Sequence, residues 1–106
     1  MATINLDSSN FEETITKNSI VFVDFWATWC GPCKAFGPIF EAASEKHTDI
    51  VFAKVDIDKN PELASDIQAV PTLLIAKNGT VIFKQAGALR ASDLENVIEK
   101  VKEYEA

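Results

Sequence analysis

The chain has 106 residues, 47% of them hydrophobic and 25% charged, with a net charge of −6, which is the size and make-up of one soluble globular domain spanning residues 1–106. No apolar run approaches the roughly 18 residues of a membrane span. The acidic balance repels phosphate backbones and anionic lipid, so neither nucleic acid nor a membrane is an expected partner.

The opening stretch "MATINLDSSN" lacks a basic segment followed by an apolar one, so a cytoplasmic protein is the expectation. Within it "TINL" reads as a short strand. "SSNFEETITK" places Phe11 and Ile15 one helical turn apart and Ser9 and Glu12 at capping-box spacing, which predicts a helix. "IVFVDFWA" is a continuous apolar run, as in a central strand covered on both faces. From Cys33 the pattern turns helical, with Phe36, Ile39, Phe40 and Ala43 on one face and Pro38 inside it as an expected kink.

"IVFAKVDID" predicts another buried strand. Asn60, Pro61 and Glu62 then read as an N-cap, a first-turn proline and an acid at the positive dipole end of a short helix reaching Ile67. Asn78-Gly79 joins two β runs as a hairpin. Leu94, Val97, Ile98 and Val101 form the apolar face of a last helix. The predicted order is β-α-β-α-β-α-β-β-α: an α/β fold with a central mixed sheet of about five strands flanked by about four helices.

The two cysteines of the chain, Cys30 and Cys33, stand in "WATWCGPCK". A bridge between them would close a loop too small to restrict the unfolded chain much, so pairing here serves chemistry rather than stability. The preceding strand and following helix put Cys30 at a helix N-terminus, where unpaired N–H groups and the positive dipole end favour a thiolate. Cys33 falls in the first turn and is expected to be the more buried. Gly31 permits a tight turn and Pro32 stiffens it. One thiol then suits attack, and the other suits resolution of a mixed disulfide. The competing use of this spacing is zinc, which wants four ligands. His47 is the remaining soft ligand and reads as a solvated surface residue, so no metal is expected.

Asp24 is out of place in its apolar strand. It is either a carboxylate whose side chain reaches water or a proton acceptor beneath the cysteines. Lys54, in the next buried strand, is its candidate partner, or else a lysine whose stem covers apolar surface. Pro71 opens a β run, a position proline tolerates.

The stretches "DFWATWCGPCK", "AKVDIDKNPELASDIQAVPTLL" and "KNGTVIFKQAGAL" resemble the thioredoxin family over essentially the whole chain. The resemblance implies a protein-disulfide reductase whose redox centre is a Cys30–Cys33 disulfide and which binds no cofactor. It implies Cys30 as the attacking thiol and Cys33 as the resolving thiol. Asp24 is implied as the carboxylate assisting proton transfer at Cys33, with Lys54 beside it. Pro71 is implied as a cis-proline facing the disulfide. The implied docking surface for clients is Trp29, Gly31, Pro32, Val70, Pro71, Gly87 and Ala88. Implied partners are disulfide-containing proteins and a thioredoxin reductase, an NADPH-dependent flavoprotein, with the chain acting as a monomer. The alternative is a binding module of the same fold whose partner role does not depend on thiol chemistry.

Overall fold

The central strand β2 (Ile20–Trp26) organises the molecule, whose computed structural model describes residues 2–105. Around it lie β1 (Thr3–Asn5), α1 (Phe11–Lys17), α2 (Gly31–Lys46), β3 (Val51–Asp56), β4 (Thr72–Lys77), β5 (Thr80–Ala86) and α3 (Ala91–Glu103). The sheet runs β1-β3-β2-β4-β5. β3 is parallel to both β1 and β2, while β4 is antiparallel to β2 and to β5.

The apolar run of β2 is explained by cover on both faces. Phe22 packs with Phe36 and Phe40 of α2 and with Leu94 and Ile98 of α3. Val21, Val23 and Phe25 point the other way, to Leu6 and to Ile15 of α1. Phe22, Phe40 and Phe52 stack with ring centroids 5.2–5.3 Å apart, at the separation aromatic pairs prefer. The hairpin forms as predicted. Lys77 pairs with Thr80, and Asn78 and Gly79 both take positive φ, 53° and 81°, as a type I′ turn requires. The side chain of Lys77 then caps α3, its Nζ donating to the carbonyls of Val101 (2.7 Å), Lys102 (3.2 Å) and Tyr104. A cation is well placed at that negative dipole end.

Three local expectations change. Among the described residues the helices number three, because residues 60–67 form successive turns. Leu63, Ala64 and Ile67 each donate three residues back, to Asn60, Pro61 and Ala64. Asn60 does not cap this segment: its Nδ2 donates back to the Asp56 carbonyl at 3.0 Å. Without a cap, one apolar pair is too little to offset helix nucleation. At α1, Ser9 and Glu12 make no capping box. Asp7 instead accepts from the Ser9 N–H (2.9 Å) and hydroxyl (2.5 Å), and Asn10 is the N-cap residue.

His47 is not a solvated surface residue. It ends α2 and is 9% exposed. Its Nε2 lies 2.8 Å from Glu95 Oε1 and its Nδ1 3.3 Å from Lys102 Nζ. An ammonium has no lone pair, so Nδ1 must accept, which leaves Nε2–H to donate to Glu95.

Candidate active site

β2 ends at Trp26, and residues 27–29 turn the chain into α2. Cys30 stands at the N-cap of α2 in extended conformation, with Pro32 in the first turn. Its sulfur does what an oxygen does at an ordinary cap: it accepts from the Cys33 N–H at 3.1 Å. α1 and α3 carry acids in their first turns, and α2 carries none. The positive end of α2 therefore faces sulfur without a competing carboxylate.

Cys30 and Cys33 are joined as a disulfide with their Cα atoms 5.2 Å apart. Both are equally closed, at 4% exposure each, so Cys33 is not the more buried of the pair. Val70 explains this. It packs with Ala27, Trp26 and Ile57 around the two cysteines, and its carbonyl lies 3.5 Å from Cys30 Sγ.

The Val70–Pro71 bond is cis. The Pro71 carbonyl accepts from the Gly87 N–H at 2.8 Å, which draws Gly87 and the exposed Ala88 to the same edge as Val70. Gly87 has φ +112° and Gly31 is open to solvent, with no atom within 4 Å of where a side chain would begin. Gly31 and Pro32 are exposed beside Cys30. Trp29 is 66% exposed, and its indole N–H donates to Asp58 Oδ2 at 3.0 Å. Cys30, Trp29, Gly31, Pro32, Val70, Pro71, Gly87 and Ala88 thus surround one end of the sheet.

Asp24 is fully buried, and neither carboxylate oxygen has a hydrogen-bond partner among the described residues. Its strand register pairs it with Lys54 on β3. Burial pushes the Asp24 carboxyl up to about 6, and the charge of Lys54 pulls against that shift. The Lys54 ammonium lies 5.0 Å above the Trp26 ring, a cation–π contact. A cavity of about 310 Å³ opens between Cys33, Lys34, Gly37, Lys54 and Trp26. It gives Cys33 and Lys54 a shared opening to solvent. Asp24 is tied to this opening through Lys54, which lines it and pairs with Asp24 across the sheet. Among the described residues no group of three or more His, Cys, Asp or Glu is placed to hold a metal. No helix there is long and apolar enough to cross a membrane.

Two residues at this end went unnoticed in the sequence. Asp58 holds Trp29, and Thr72 bonds across Pro71 to the Ala69 carbonyl at 2.5 Å. Asp58 lies 29 residues from Trp29, so only the fold brings them together. Thr72 was legible only as a strand residue after a proline.

The thioredoxin family profile matches residues 2–100. The chain is 44% identical to "Putative thioredoxin 2" of Streptomyces coelicolor over 106 residues, covering 98% of this chain and 79% of the relative. It is 44% identical over 85 residues to the "Bifunctional thioredoxin reductase/thioredoxin" of Mycobacterium leprae, covering 77% of this chain and 19% of that longer protein. A solved structure of a variant thioredoxin from Halobacterium salinarum superposes with a TM-score of 0.88 at 31% identity, covering 98% of this chain and 94% of the other. A disulfide-bonded Cys-x-x-Cys pair at a helix N-terminus, on this sheet and with these relatives, leads to one conclusion: the chain belongs to the thioredoxin family and is a thiol–disulfide oxidoreductase that reduces protein disulfides.

Proposed function

We propose that Cys30 is the attacking thiol and Cys33 the resolving thiol of the reduction cycle. In the reduced protein the Cys30 thiolate attacks one sulfur of a client disulfide. The client S–S bond breaks, a Cys30–client bond forms, and one client thiolate leaves. Cys33, deprotonated, then attacks Cys30 Sγ and expels the second client thiolate. Two electrons and two protons pass to the client, and the Cys30–Cys33 disulfide remains. The observation that carries this assignment is the Cys33 N–H directed at Cys30 Sγ at 3.1 Å, at the acid-free end of α2. A charge on Cys30 receives that N–H directly, whereas among the described residues no N–H is directed at Cys33 Sγ.

Asp24 accepts the Cys33 proton, and Lys54 tempers its basicity. An acceptor raised to about 6 holds or releases a proton closer to neutral pH than an ordinary carboxylate does. The client lies as an extended segment across Trp29, Gly31, Pro32, Val70, Pro71, Gly87 and Ala88. The main chain of Val70 supplies hydrogen bonds and the other residues supply apolar contact. The partner that restores the dithiol is a thioredoxin reductase, an NADPH-dependent flavoprotein. The fused reductase and thioredoxin of Mycobacterium leprae support that pairing. The chain works as a monomeric single domain in the cytoplasm, in electron transport and cell redox homeostasis, with no cofactor of its own.

Turnover of a protein disulfide with reductase and NADPH tests the thiol roles. Cys30→Ser abolishes turnover. Cys33→Ser accumulates a mixed disulfide through Cys30. Trapping through Cys33 in the Cys30→Ser variant, with none through Cys30 in the other, overturns the assignment.

A further inference from the structure

Thr72 begins β4 with its backbone paired to Phe25 of β2 on one side and Ala86 of β5 on the other. The sheet therefore fixes where this residue sits. Its side chain belongs to the face that carries Leu74 and Ala76, the α1 side, and it is 4% exposed. The hydroxyl donates to the carbonyl of Ala69, three residues back, at 2.5 Å. That bond closes a small ring around Val70 and Pro71.

The Ala69–Val70 peptide is trans, since the cis bond of this loop is the next one. In a planar trans peptide the C=O and the following N–H point in opposite directions. Holding the Ala69 carbonyl on Thr72 therefore holds the Val70 N–H pointing away from Thr72. The N–H of Val70 has no hydrogen-bond partner among the described residues, and the Val70 carbonyl lies 3.5 Å from Cys30 Sγ. Without the Thr72 bond the Ala69–Val70 plane would have no restraint on its carbonyl and would be free to rock. An edge donor that rocks loses part of its hydrogen bond to the entropy of being fixed on binding.

We propose that Thr72 is a positioning residue for client binding: its hydroxyl sets the plane of the Ala69–Val70 peptide and so aims the Val70 N–H at a main-chain carbonyl of an extended client segment beside the client's disulfide. This rests on the reading of Val70 as a docking residue. Thr72 touches neither the client nor the sulfur atoms. Its effect is on strand addition at this edge, so it discriminates between a disulfide carried by a polypeptide and one that is not.

The test compares wild type, Thr72→Val and Thr72→Ser on two substrates: a cystine-containing peptide and a small aromatic disulfide with no peptide carbonyl. Thr72→Val loses about fivefold in kcat/KM on the peptide, the worth of one hydrogen bond, through KM rather than kcat. It loses distinctly less on the aromatic disulfide. Thr72→Ser, which keeps the hydroxyl, restores the peptide value. Equal losses on both substrates, no loss on either, or a serine variant no better than valine overturns the proposal. Thr72→Ala gives the same comparison should the valine variant not fold.

A second peptide, with an ester replacing the amide after the docking residue, separates the two readings, because an ester carbonyl is the weaker acceptor. Wild type favours the amide peptide, and Thr72→Val favours it less. If wild type does not discriminate, Val70 docking itself fails. If wild type discriminates and Thr72→Val discriminates as strongly, the role of Thr72 alone is refuted.

Discussion

Asp24 and His47 are both buried polar side chains, at 0% and 9% exposure, and the fold treats them in opposite ways. His47 has a partner on each ring nitrogen, Glu95 on one and Lys102 on the other. Asp24 has none on either oxygen. A buried polar group that is fully paired ties elements together, here the end of α2 to α3. A buried carboxylate left unpaired costs stability, and the cost appears as a pKa raised to about 6. The two groups differ in what their removal should do: taking away His47 should weaken the fold and spare the chemistry, and taking away Asp24 should do the reverse.

The largest effect is expected from Asp24→Asn. A folded-state pKa above the unfolded value means that the native protein binds the proton more tightly. That relative stabilisation is fully present below the ordinary value of 3.8 and is lost as pH rises through about 6. By neutral pH wild type has given up about 3 kcal/mol that the variant, with no charge to bury, does not lose. The amide of asparagine is itself unpaired in the same site, so the decisive quantity is the pH dependence rather than the absolute stability. Denaturant melts from pH 3 to pH 7 should show the variant gaining on wild type across that window and level above it, with disulfide reduction slowed. Parallel stability curves, together with an unchanged rate, would make Asp24 an ordinary carboxylate and end the contrast with His47.

A smaller effect of opposite kind is expected from His47→Ala. It removes two hydrogen bonds to charged groups and leaves a gap where the ring stood. Glu95 and Lys102 are each about a third exposed (32% and 33%), so water can replace the ring as their partner. A loss of about 2 kcal/mol follows, with turnover of a protein disulfide unchanged. A loss of turnover at full stability would move His47 out of the structural half of the comparison.

The contrast between these two residues also marks what a sequence discloses. Asp24 was visible because its neighbours in the chain are apolar, and an apolar run with one acid in it is a local anomaly. His47 was misread because both partners of its ring come from α3, with Glu95 lying 48 residues away and Lys102 55. The same division runs through the fold. β2, the Asn78-Gly79 hairpin and the strand-to-helix position of Cys30 depend on adjacent residues and were legible. The missing helix at residues 60–67 depends on a side chain, Asn60, that points back to Asp56 instead of forward. Both acts satisfy an asparagine, and the sequence does not distinguish them. The equal closure of the two cysteines depends on Val70, 40 residues beyond Cys30, and no local pattern announces it.

The smallest expected effect sharpens the His47 half most. The contact with Lys102 requires Nδ1 to accept, so the ring is neutral and donates from Nε2 to Glu95. A neutral donor needs an acceptor, not a charge. Glu95→Gln keeps an oxygen at that position and gives up the charge, including its pairing with Lys46, which is 3.8 Å away and largely exposed. An exposed pair at that distance contributes little, so the variant should lose under about 0.5 kcal/mol at neutral pH. A loss as large as that of His47→Ala would mean that Glu95 acts as a counterion. The ring would then be protonated, and Lys102 would have to face Asp49 (3.6 Å) instead of Nδ1. Melts of the two variants side by side, with the imidazole followed by NMR to read its tautomer, separate a neutral hydrogen-bonded clamp from a buried ion pair.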